Sequence, residues 1–109
     1  MYPTLFSTPG VKAFAEAIDV ERAAQFAKFG DQRHPDGTSG HNFASLADAA
    51  RRSCQKAAQK DTLTWFHILR EEFWEAVAET DAVKLRAELV QIAAVCSAWI
   101  YDLDRRPTA

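Results

Sequence analysis

Two cysteines, no long apolar run and no excess of one charge limit what this 109-residue chain can be. Cys54 and Cys96 stand apart, without CxxC spacing and each inside a helical pattern. That argues against a disulfide framework or a zinc site and for buried, reduced thiols in a cytosolic setting. Lys and Arg number 13 against 15 Asp and Glu, a net charge of −2 with pI near 5.9, which leaves no footprint for duplex nucleic acid. The longest apolar run, Ile92 to Ile100, is interrupted by Ser97 and too short to cross a bilayer. No basic start followed by an apolar run marks a secretory signal. Period-two alternation, internal repeats and low-complexity segments are missing. So are the GxxxxGK[ST] and GxGxxG loops that cradle phosphates. Arg70-Glu71-Glu72 faintly echoes a Nudix box, but Trp74 stands where a second acid pair belongs, and the strands that box needs are absent.

What remains is apolar and helical in pattern. A hydrophobic content of 48% and an aromatic content of 11% fit a folded chain, and its length fits a single domain over residues 1–109. Met1 to Gly10 reads as an irregular arm whose Tyr2, Leu5 and Phe6 are available to pack on a neighbour. Phe14, Ala17, Ile18, Ala24, Phe26 and Phe29 predict a helix from Val11 to about Phe29, with a possible bend near Asp19. Asp31 to Gly40 is a dense turn signal containing His34, with His41 following it; both histidines read as surface residues. Asn42 or Ser45 offers a cap for a second helix ending near Lys60, with Phe43, Leu46, Ala50, Cys54 and Ala57 on one face. Asp61 to Thr64 supplies caps for a third, Trp65 to Glu79. Thr80 and Asp81 break that helix and cap a fourth, Ala82 to Leu103, followed by a frayed tail at Arg105 and Arg106. The fourth helix carries apolar groups on two flanks, which points to a bundle centre or a subunit interface. The expected fold is an all-α helical bundle, oligomeric.

The acids carry the chemistry. At about 100° per residue, Glu72, Glu75 and Glu79 form one stripe of the third helix with Glu71 at its edge, beside an apolar stripe of Trp65, Leu69, Phe73, Ala76 and Val77. On the fourth helix Glu88 and Gln91, three apart, border the seam of Leu85, Leu89, Ile92, Cys96 and Leu103. If the two seams pack antiparallel, three carboxylates and an amide converge, and a hard divalent cation is the usual way to hold such a group together. The stripe also lacks the Lys or Arg at i+4 that a solvated helix face would place, so positive charge must come from elsewhere.

Glu71-Glu72-Phe73-Trp74-Glu75, twelve residues, then Glu88-Leu89-Val90-Gln91 resembles the E-E-x-x-E and E-x-x-D motifs of the all-α nucleoside triphosphate pyrophosphohydrolases, the MazG superfamily. Gln25-Phe26-Ala27-Lys28-Phe29-Gly30-Asp31-Gln32-Arg33-His34-Pro35-Asp36-Gly37 is similar to the Q-x-x-K-W-G-x-Q-x-H-P-D-G stretch of MazG-like proteins, and Leu85 to Val95 to their L-R-x-E-L-V-Q-V-A-A-V segment. The likeness covers most of residues 20 to 104 and is nearest to the small phage-type, MazZ-like group. Two departures stand out: Gln91 replaces the last acid, as in the MazG-like subgroup, and Phe29 replaces Trp.

The resemblance implies hydrolysis of a (deoxy)nucleoside triphosphate, with purine favoured and dGTP the first expectation, to a monophosphate and pyrophosphate. It implies Mg²⁺ or Mn²⁺ on Glu72, Glu75 and Glu88, with Gln91 a weaker fourth ligand that brings no charge. Glu71 or Glu75 would orient or deprotonate the attacking water, whose pKa a bound metal lowers. Lys28 would meet phosphate, Gln25 and Gln32 would read a base edge, Phe29 or a Trp would stack on the base, and the His34 to Gly37 loop would line or cover the site. The expected assembly is a homo-oligomer, dimer or tetramer, with no nucleic-acid or membrane partner. The expected location is the cytoplasm, the host's if the chain is phage-encoded. A nucleotide-binding helical oligomer without turnover is the alternative, and a purely structural oligomerisation domain a third.

Overall fold

The computed structural model describes residues 5–108. Its four helices are α1 (Val11–Phe29), α2 (Phe43–Gln59), α3 (Trp65–Ala78) and α4 (Ala82–Asp104), and no strand occurs among the described residues. The all-α expectation holds, and each helix begins within two residues of where the pattern placed it. No helix among these residues is long and apolar enough to cross a membrane. Tyr2 lies outside the described residues; Leu5 to Gly10 are irregular, as expected.

The chain divides into two compact units, Met1–Pro35 with Ser97–Ala109, and Asp36–Cys96, and α4 runs unbroken from the second into the first. In the first unit, Gly10 precedes α1 with φ 86°, and a Cβ there would sit 2.9 Å from the Tyr101 side chain. Only glycine meets both conditions. Gly30, at φ 68°, ends the helix while its N–H reaches the Phe26 carbonyl at 2.8 Å. Between them α1 continues through Asp19 and buries none of its residues; Phe26 and Phe29 are more than half exposed. Arg105 and Arg106, expected to fray, fold back on the last turn of α4. The Arg105 guanidinium lies 3.9 Å from the centre of the Tyr101 ring, and Arg106 pairs with Asp102 at 3.0 Å.

In the second unit α2 and α3 are antiparallel, as successive cross-pairs show: Arg51 with Glu75, Ser53 with Arg70, and the Ala57 carbonyl with Thr62 at the turn. The buried positions are small, Ala47, Ala50 and Ala57 on α2 and Ala76 on α3. Methyl side chains let the two backbones approach closely, but each contributes little hydrophobic stabilisation, about 0.8 kcal/mol per buried carbon. Trp74 closes one end by edge-on contacts with Phe43 and Phe73, at 5.6 and 5.2 Å.

Local signals set the helix ends. Thr64 caps α3 through its hydroxyl, and His67 completes a capping box by accepting the Thr64 N–H at Nδ1, a role usually filled by Glu or Gln. Asp81 caps α4 by accepting the Lys84 N–H at 3.0 Å. Asn42 immediately precedes α2 but, at φ 69°, makes no side-chain cap bond, so the capping expected there is absent. Asp61 turns the chain after α2 at φ 57°, a left-handed conformation that Asp tolerates better than most residues.

Candidate metal centre

Three of the expected ligands converge within the second unit. Glu72 and Glu75, one turn apart on α3, and Glu88 on α4 each offer a carboxylate oxygen within 4.8 Å of the other two. Opposite ligands on Mg²⁺ are about 4.2 Å apart, and on Ca²⁺ about 5 Å, so the carboxylates already stand near coordination spacing. The fit is also chemical. One oxygen of Glu72 and one of Glu88 (Oε2 in each) are shielded from solvent with no hydrogen-bond partner among the described residues. Buried carboxylate oxygens without a donor are costly, and a bound cation, like a proton on the carboxyl, would satisfy them.

The electrostatics agree. Burial first, then the charges of Glu75, Glu88 and Glu71, hold the Glu72 carboxyl above the usual range. Glu75 is raised too, by burial and then Glu71, against a hydrogen bond from Arg51 that favours its charged form. Glu79 lies at the C-terminal end of the acidic stripe, where its carboxylate accepts the N–H groups of Thr80 and Asp81 at 3.1 and 3.3 Å.

Positive charge does come from elsewhere, from a residue the sequence pattern did not single out. Arg51 of α2 donates to Glu75 Oε1 at 3.3 Å and to Asp48 Oδ1 at 3.0 Å, with its Nε 4.0 Å from Glu71. It lines an open cavity of about 330 Å³ with Asp48, Glu75, Glu79 and Glu88, floored by the small side chains of Ala44, Ala47 and Ala78. The only trace of this in the sequence is a face of α2 that sets Asp48 and Arg51 among alanines.

Gln91, one turn beyond Glu88, is exposed. Glu71 is half-buried beside Arg51 and Cys54. Burial, reinforced by a hydrogen bond to Glu71, pushes the Cys54 thiol up to about 11, so it stays protonated and is no nucleophile at neutral pH. Both cysteines are free and half-buried, less enclosed than expected. Gln25, Lys28, Phe29 and Gln32 belong to the first unit. There Gln25 accepts from Arg22 at 2.8 Å, the Lys28 ammonium lies 5.1 Å from the Phe29 ring centre, and Gln32 and His34 are 3.4 Å apart.

Residues of the α3 and α4 seams border a common groove. Leu69, Phe73, Ile92 and Cys96, with Phe66 and Arg70, line an open, almost wholly apolar groove of about 470 Å³. Arg70 leans over the Phe66 ring, 4.9 Å from its centre, and donates to Ser53 at 2.6 Å. No family model, curated protein or solved structure matches this chain.

Proposed function

We propose that Glu72, Glu75 and Glu88 bind a divalent cation, Mg²⁺ or Mn²⁺, and that the protein is a nucleoside triphosphate pyrophosphohydrolase of the MazG-like type. Its substrate would be a (deoxy)nucleoside triphosphate, with dGTP the first expectation, hydrolysed to monophosphate and pyrophosphate. The observation that carries this reading is the convergence of three carboxylates, two of them with shielded and unpartnered oxygens. The three motif segments in order support it.

When bound, the cation would neutralise the polyphosphate and lower the pKa of the attacking water. The chain's own residues would do the rest. One water is added across the α–β phosphoanhydride, and Glu71 or Glu75 takes its proton as the bridging P–O bond breaks and pyrophosphate departs. Glu75 lines the open cavity that such a water would enter. The exposed Phe66, Phe73, Leu89 and Val90 of the second unit favour assembly as a homo-oligomer.

Glu72→Gln and Glu75→Gln should each lower pyrophosphate release from dNTP with Mn²⁺ by at least about a hundredfold, while circular dichroism keeps the wild-type helix content. Wild-type turnover in both variants would overturn the site. Gln91, exposed in place of an acid, favours the second reading, nucleotide binding without turnover. A panel of dNTPs with Mn²⁺ that raises the melting temperature but yields no monophosphate would establish it.

A further inference from the structure

Arg51 is placed to serve two partners in turn. Its side chain is 43% exposed while that of its partner Glu75 is 21% exposed, so the guanidinium reaches from the cavity mouth onto a more enclosed carboxylate. Two of its five N–H donors are engaged, one by Asp48 of its own helix and one by Glu75. Its Nε faces Glu71 at 4.0 Å, which leaves the second N–H of each terminal nitrogen to meet an anion entering the cavity beside the alanines. Glu75 is also one of the three converging carboxylates, so a cation bound there and Arg51 would draw on the same charge.

We propose that Arg51 is the resident counter-ion of Glu75, that a divalent cation displaces it there, and that its guanidinium binds the phosphate chain of the substrate. Its planar fork of donors matches phosphate oxygens, and its place on α2 at the cavity lining keeps it within reach after exchange. A partly exposed ion pair is readily exchanged, whereas a doubly charged ion gains from three carboxylates at once. The first half of this proposal rests on the metal reading above; the phosphate half does not.

The experiment measures two affinities on the full chain by isothermal titration, for wild type, Arg51→Gln and Arg51→Lys, with helix content checked by circular dichroism. Mn²⁺ alone should bind Arg51→Gln about two- to fivefold more tightly than wild type, because a competitor has gone. Tripolyphosphate with Mn²⁺ should bind it about tenfold or more weakly, with Arg51→Lys intermediate because it keeps the charge and loses the fork. Unchanged or weaker Mn²⁺ binding in Arg51→Gln would overturn the counter-ion role and leave Arg51 as a support for Glu75. Unchanged tripolyphosphate binding would overturn the phosphate role. If wild type binds no Mn²⁺ at all, the metal reading and the exchange fail together. Loss of tripolyphosphate binding in Arg51→Gln, measured in EDTA, would then still uphold the phosphate half.

Discussion

Helix α1 and the α2–α3 pair show two different ways of being helical. α1 is 19 residues long, starts at a glycine without a side-chain cap, ends at another glycine and buries nothing. α2 and α3, at 17 and 14 residues, share four buried alanines, a side-chain-capped start on α3 and ion pairs that cross between them. The first takes its form from local sequence; the second is also held by what it packs against. The candidate chemistry sits with the second kind, where neighbouring elements fix the carboxylates.

The contrast breaks most sharply at the buried alanines. Ala76, 1% exposed, has no room for a larger group, so Ala76→Leu should cost about 1–3 kcal/mol by overpacking, read as a lower urea midpoint at unchanged slope. The same change at exposed Ala24 on α1 should stay within about 0.5 kcal/mol. Equal losses at the two positions would mean that α1 is packed as tightly as α3.

A smaller effect is expected at the α3 cap. Thr64→Ala removes the hydroxyl that accepts the His67 N–H and should cost about 1 kcal/mol, a drop in melting temperature of roughly 4–8 °C for a domain of this size. No such loss can be produced at the start of α1, which has no side-chain cap to remove.

The smallest effect sharpens the comparison through pH. Glu72 and Glu75 titrate higher in the folded chain than in the unfolded one, so the folded state holds more protons just above the ordinary carboxylate pKa of about 4.3. Their destabilising contribution is therefore present at neutral pH and relieved as pH falls into that window. The melting temperature of metal-free Glu72→Gln should exceed that of wild type at pH 7.5, and the gap should narrow towards pH 5. Mn²⁺ should raise the wild-type melting temperature by a few degrees at pH 7.5 and by less at pH 5, where protons compete for the same oxygens. A gap that does not change with pH would remove the carboxylates as its source.

Much of the helical framework is legible in the residues alone. The limits of α1 follow from its apolar spacing and from Gly10 and Gly30, and Thr64 and Asp81 announce the starts of α3 and α4. Other features are not legible there. Phe26, Phe29, Phe66 and Phe73 are apolar by type, yet 48–59% exposed, because exposure depends on what other elements cover them. Asn42 is a strong capping residue by type, but its left-handed backbone makes no side-chain cap bond.

By itself the sequence determined which side chains share a helix face, including the one-turn spacing of Glu72 and Glu75, because the 3.6-residue period is a local property of the backbone. It also determined that those acids had no basic partner on their own helix. Only the tertiary structure decided that Glu88 closes the triad from α4, that two of its oxygens lose both water and hydrogen bonds, and that Arg51 answers Glu75 from α2. Coulombic and desolvation effects act through space, so residues 24 or 16 positions apart become neighbours only once the helices are packed.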